Sequence, residues 1–176
     1  MDKNWVQTYT GKKFSLINPS PEDVDIIDIA YSLSRQCRFN GHTLFFYSVA
    51  QHSSLVSQNV SKENEKWGLL HDAAEAYIGD IVRPLKHLLG DQLKAIEYNI
   101  QYCIAQKFNL STWAIPTEVF RIDQSILHDE SLQVMNFPHP DDWQLSEEPL
   151  EIKILQMTSE QARINFLFSA KRMGIK

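Results

Sequence analysis

Apolar residues recur with a helical period over most of this chain. After Asn18-Pro19-Ser20-Pro21, the positions Ile26, Ile29, Ala30, Leu33 and Cys37 share one face, which predicts a first helix stopping at Asn40-Gly41. Ser48 and Gln51 stand in capping-box spacing ahead of Val49, Ala50, Leu55 and Val56, predicting a second helix with His52 in its first turns. A third helix is predicted from about Ser61 through Trp67, Leu70, Ala74 and Ile78 to Gly79, with Pro84 restarting the chain. Leu93, Ile96, Ile100, Cys103, Ile104 and Phe108 mark a fourth. Val119, Ile122, Ile126 and Leu127 mark another between Thr117 and Met135, and Thr158 with Gln161 caps a last one through Phe168. Two stretches break the pattern. Residues 5–17 alternate loosely about Thr10-Gly11 and predict a short hairpin, and residues 136–150, NFPHPDDWQLSEEPL, are polar, acidic and proline-rich and predict a loop. The expected fold is therefore all-α: one compact helical domain over residues 1–176 with an N-terminal β-hairpin.

Composition narrows the function classes. The chain of 176 residues is 43% apolar and 22% charged, as a folded globular protein is, and is long enough for a core of its own. Its net charge of −5 argues against a broad nucleic-acid-binding face, so positive contacts to any phosphate ligand must be local. No apolar run follows the first lysine and none approaches the roughly 18 to 20 residues that span a bilayer, so a cytoplasmic protein is expected. Cys37 and Cys103 fall within predicted helices and not in C-x-x-C spacing, which reads as two buried thiols.

The chemistry concentrates in GLLHDAAEAYIGDIVRPLK, residues 68–86. His71 and Asp72 are successive on a helix, so their side chains diverge by roughly 100° yet still reach one ion over a helix edge. Glu75 shares that face and would stand beside the ion, and Asp80 follows just past the helix end. Imidazole with carboxylate suits divalent zinc, manganese, cobalt, iron or nickel better than calcium. His52 on the preceding helix and Asp123, isolated within VFRIDQSIL, supply two further donors; a buried carboxylate without a partner is costly, and an ion removes that cost. Taken singly, His52 reads equally as a hydrogen-bonded core histidine, and Asp123 as a partner of Arg121 or Arg83. Together the four read as a metal site.

The order His52, His71-Asp72, Asp123 resembles the H…HD…D signature of the HD-domain metal-dependent phosphohydrolases. The resemblance runs from about Asp28 to Leu127 and includes YSVAQHS around His52 and IDQSIL around Asp123. Within that family the chain is most similar to small bacterial 5′-deoxynucleotidases and small phage-type deoxynucleoside triphosphohydrolases. The resemblance implies metal ligands at His52, His71, Asp72 and Asp123, with Glu75 and Asp80 as non-ligand catalytic acids. It also implies a nucleotide substrate rather than a nucleic-acid polymer or a membrane, and a homo-oligomer. One divalent transition metal is expected, with magnesium as a possible further ion on the phosphate. Arg38, at the end of the first predicted helix, offers a bidentate fork for phosphate oxygens, with His42 and Lys86 as further positive contacts. Arg38-Phe39 is similar to the arginine-aromatic pair of related deoxynucleotidases, which implies that Phe39 stacks on base or sugar. The three positive groups tilt the expectation slightly toward a triphosphate substrate over a monophosphate; cyclic-nucleotide hydrolysis and a non-catalytic binding module are the further alternatives.

Overall fold

A computed structural model of the protein describes residues 4–136 and 143–176. Residues 137–142, within the predicted acidic loop, lie outside the described residues. The expected class is found: a mostly helical fold with one two-stranded antiparallel hairpin. Strands β1 (Trp5–Gln7) and β2 (Lys13–Ser15) pair in the register Val6 opposite Phe14. Helices follow at α1 (Ile26–Leu33), α2 (Val49–Asn59), α3 (Glu65–Leu70), α4 (Glu75–Ile78), α5 (Arg83–Lys107), α6 (Thr117–Gln133) and α7 (Ser159–Arg172). Among the described residues no helix is long and apolar enough to cross a membrane.

The N-terminal ends carry the caps that the sequence predicts. Ser48 Oγ accepts from Gln51 N at the start of α2, and Thr158 and Gln161 form a reciprocal capping box on α7. Three boundaries differ from expectation. The first helix stops at Leu33 rather than at Asn40-Gly41, because residues 36–38 leave the helix and pair with 47–49: Arg38 N donates to Tyr47 O and Val49 N to Gln36 O. Cys37 therefore sits in an extended bridge, and Arg38–Gly41 forms a single tight turn with Phe39 and Asn40 at positive φ. The third predicted helix begins at Glu65 and tightens over residues 71–74, where Ala73 N, Glu75 N, Ala76 N and Tyr77 N bond three residues back instead of four. The fourth starts early, at Arg83, and bends at Gly90, whose φ of +67° a glycine tolerates.

The core lies where α2 meets α3, α6 and α7, with α1 packed on α4 and α7. α2 is lined by small polar residues, and Ser53, Ser54 and Ser57 are buried with their hydroxyls donating to backbone carbonyls. This lets backbones approach closely. A Cβ at Gly68 of α3 would stand 2.8 Å from Ser57 Cα and 3.0 Å from Ser57 N, so only glycine fits there. The hairpin is pinned to the same body: Thr10 N and Oγ1 donate to the buried Asp28, and Phe14 stacks on Tyr77 of α4 at 3.6 Å. Before α7 the chain is tied to α6, with Asp129 and Gln133 bonded to Leu150, Ile152 and Ile154.

Candidate metal centre

The close approach of α2 and α3 brings two imidazoles together, tilted by 58° with centroids 5.3 Å apart. His52 is fully buried on α2, and His71 stands just past the last residue of α3. Each is oriented through its Nδ1: that of His52 is 2.7 Å from Glu130 Oε1, and that of His71 is 2.8 Å from Gly68 O. In neutral rings with Nδ1–H donating, both Nε2 atoms would carry lone pairs, and they lie 3.3 Å apart. Two acceptors at that distance repel unless a proton or a cation lies between them.

Carboxylates close the remaining sides. Asp72 Oδ2 is 3.3 Å from His71 Nε2 and 3.6 Å from His52 Nε2; Asp123 Oδ1, from α6, is 3.1 Å from His52 Nε2 and 3.8 Å from His71 Nε2. Both aspartate side chains keep 21% exposure, which leaves the cluster open on one side. His52, His71 and Asp72 converge tightly enough to hold one metal ion between them, and Asp123 reaches both rings from the neighbouring helix. The donor set is imidazole with carboxylate, suited to a divalent transition metal. The arginines that could have paired with Asp123 are engaged elsewhere, Arg121 with Glu147 and Arg83 donating to Gln124, while Gln124 Nε2 donates to Asp123 Oδ2 at 2.8 Å and leaves Oδ1 facing the histidines.

Electrostatics follow this geometry. Burial and the Arg38 charge push the His52 imidazolium pKa down, but Glu130 and Asp123 outweigh them and lift it to about 10. Burial would raise the carboxyls of Asp72, Asp123 and Glu130, yet the histidines, and for Asp72 and Glu130 also Arg38, hold all three below the usual carboxylate range. Glu75 and Asp80 go the other way. Burial raises the Glu75 carboxyl well above its ordinary value, with Asp72 and Asp80 adding to it against Lys86; burial and Asp72 likewise raise Asp80 against Arg38.

The other residues singled out in the sequence are placed as follows. Glu75 lines a cleft of about 350 Å³ together with His71, Asp72, Lys86, Tyr98 and Trp113. Its Oε1 accepts from Lys86 Nζ at 3.0 Å, while its Oε2 is buried with no partner among the described residues. Lys86 is held by Glu97 as well, at 2.9 Å. Arg38 reaches the cluster, but its guanidinium is engaged by Glu130 at 2.9 Å and Asp72 at 3.6 Å, leaving Nε buried without a partner among the described residues. Phe39 lies under the Arg38 guanidinium and against Trp143. His42 is exposed at the end of its turn, and among the described residues no side-chain contact ties it to the cluster.

Two residues escaped the sequence reading. Glu130, with 0% exposure, accepts from His52, from Tyr47 Oη at 2.7 Å and from Arg38, and so binds the cluster's buried side together. The signal was its seven-residue spacing from Asp123, two turns along the same helix face. Gln36 ties the acids' backbone: its Oε1 accepts from Asp80 N and its Nε2 donates to Glu75 O. Nothing in the linear pattern pointed to that contact across 44 residues.

Comparison with known proteins adds relatives but no activity. No protein-family model matches the chain. Over 107 residues it is 47% identical to the uncharacterized Escherichia coli protein YfdR, and over 119 residues 34% identical to the uncharacterized Rhodobacter capsulatus protein RCAP_rcc00048. These stretches are 61% and 62% of this chain and span 60% and 61% of the two relatives.

Proposed function

We propose that the chain is an HD-type metal-dependent phosphohydrolase that cleaves the 5′ phosphate of deoxynucleotides. The observation that carries this reading is the pair of imidazole Nε2 atoms 3.3 Å apart, each oriented from behind, with Asp72 and Asp123 beside them and a cleft above. His52, His71, Asp72 and Asp123 would hold one divalent transition metal; when bound, it supplies Lewis acidity toward water and a phosphate oxygen. Glu130 and Gly68 O keep both imidazoles turned so that Nε2 faces the ion's place.

Glu75 and Asp80 are the acids that exchange protons. Burial among like charges raises both carboxyls and so favours their protonated forms, and in Glu75 the oxygen free to carry a proton is Oε2, since Lys86 engages Oε1. Glu75 is placed to deliver that proton to the leaving 5′ oxygen, and Gln36 fixes where both acids stand.

Among deoxynucleotides the monophosphate is the better-supported substrate. The excess of positive charge that favoured a triphosphate is largely consumed: Arg38 and Lys86 each face two carboxylates, and His42 stands apart. The triphosphate is the second reading, kept in view by Arg38 Nε, a buried donor without a partner among the described residues. The test is hydrolysis by chelator-stripped protein reloaded with manganese, cobalt, zinc, iron, nickel or magnesium, against every deoxynucleoside mono- and triphosphate. Phosphate released from monophosphates is the expected result. Inorganic triphosphate from a triphosphate would select the second reading, and no turnover by any metal-loaded form would end both.

A further inference from the structure

The cleft beside the metal centre carries aromatic residues that neither the cluster nor the core uses. Trp113 and Tyr98 line it and remain 55% and 59% exposed. They are not loose. Tyr102 lies one helical turn beyond Tyr98 on α5 with its ring nearly parallel, centroids 6.4 Å apart, and Trp113 tilts against Tyr102 at 5.2 Å. Tyr98, Tyr102 and Trp113 thus form a ladder that is ordered before any ligand arrives, which lowers the entropic cost of using it. The ring named for stacking in the sequence, Phe39, is instead occupied with Trp143 and Arg38, so the cleft draws its aromatic residues from α5 and from the segment that precedes α6.

The same cleft is lined by His71, Asp72 and Glu75. A ligand that satisfies both sets of residues needs an oxygen-rich anionic group for the metal ion that His71 and Asp72 would help hold, and a flat apolar ring for the ladder. At about 350 Å³ the cleft lies at the small end of the range for ligand pockets. A sugar phosphate would leave both rings in water; a nucleoside phosphate would cover them.

We propose that Trp113 and Tyr98 are the platform on which the nucleobase stacks while the phosphate faces His71 and Asp72. This rests on the deoxynucleotide reading above and assigns the base to a subsite that the motif residues do not include. Stacking on π-faces is tolerant of base identity, so the platform selects nucleotides over base-free phosphate esters rather than one base over another.

The test uses Trp113→Leu and Tyr98→Leu, both at half-exposed positions that do not support the core. With metal-loaded protein, the preference for deoxynucleoside monophosphates over deoxyribose 5-phosphate, measured as the ratio of kcat/KM values, is expected to fall by roughly 5- to 150-fold in Trp113→Leu, chiefly through KM. Independently of turnover, titrating deoxyadenosine monophosphate into the wild type is expected to quench tryptophan fluorescence, and Trp113→Leu is expected to lose that quench although Trp5, Trp67 and Trp143 remain. Quenching that depends on Trp113 without hydrolysis would uphold the platform and sink the hydrolase reading. Hydrolysis with an unchanged preference and an unchanged quench in both variants would overturn the platform alone. Conversion of an oligomer to a monomer by Trp113→Leu in sedimentation velocity, with the preference intact, would make these rings a subunit contact and likewise overturn it.

Discussion

Two groups of carboxylates, each wholly or partly withdrawn from water, are driven in opposite directions within one site. Asp72, Asp123 and Glu130 sit among His52, His71 and Arg38 and are held below the ordinary carboxylate range, whereas Glu75 and Asp80 sit beside those fixed anions and are raised. Burial alone would raise all five, so neighbouring charge decides the sign. Acids locked between cations are permanent anions, suited to holding an ion. In the hydrolase reading proposed above, acids crowded by those anions are the ones that would hold and pass protons. The sequence motif implies a division along the same line between ligands and non-ligand acids, which the variants below test, and Glu130 shares the lowered carboxyl of the first group.

The comparison is most directly broken at its metal side. His71→Ala is expected to abolish bound metal and hydrolysis together while far-ultraviolet circular dichroism stays helical; a lowered melting temperature with the metal content of the folded protein unchanged from wild type would mean that the histidines are structural. Glu75→Gln tests the other side. It removes the exchangeable proton and is expected to lower kcat by about 10²- to 10⁴-fold with metal stoichiometry intact, as read by steady-state kinetics beside elemental analysis.

Glu130→Gln sharpens the line between the groups, because Glu130 touches His52 without reaching the ion's place. Its expected effect is a loss of about 10- to 100-fold in metal affinity, measured by competition with a chromogenic chelator, with kcat at saturating metal much less affected. Gly68→Ala probes the frame that both groups share. A methyl group there meets the α2 backbone at 2.8 Å, so thermal or urea unfolding should show a loss of about 1–3 kcal/mol.

The architecture was legible because helical periodicity and caps are local: Ser48 with Gln51, and Thr158 with Gln161, cap the helices they were expected to cap. The candidate metal group was legible in part for a related reason, since His71 and Asp72 are adjacent in the chain, whereas His52 lies 19 residues earlier and enters through the packing of α2 on α3. What the pattern could not carry was pairing at a distance. Arg38 and Lys86 read as free cations in the sequence, but the carboxylates that engage Arg38 lie on α6 and in the tightened turn before α4, and Lys86 is shared between α4 and a later turn of its own helix. The end of α1 was misplaced for the same reason. Cys37 continues the apolar period, but the bridge between residues 36–38 and 47–49 overrides local propensity.

The contact at Gly68 also bears on how this protein can change over time. Most crowded positions drift in pairs, because a larger side chain at one site is accommodated by a smaller one opposite. Here the opposing atoms are Ser57 Cα and N, which every amino acid possesses. No replacement at position 57 makes room, so a lineage that keeps His52 and His71 in reach of each other has no compensating route away from glycine. Position 68, which carries no chemistry in its side chain, is therefore expected to vary as little among homologues that retain the site as the histidines themselves.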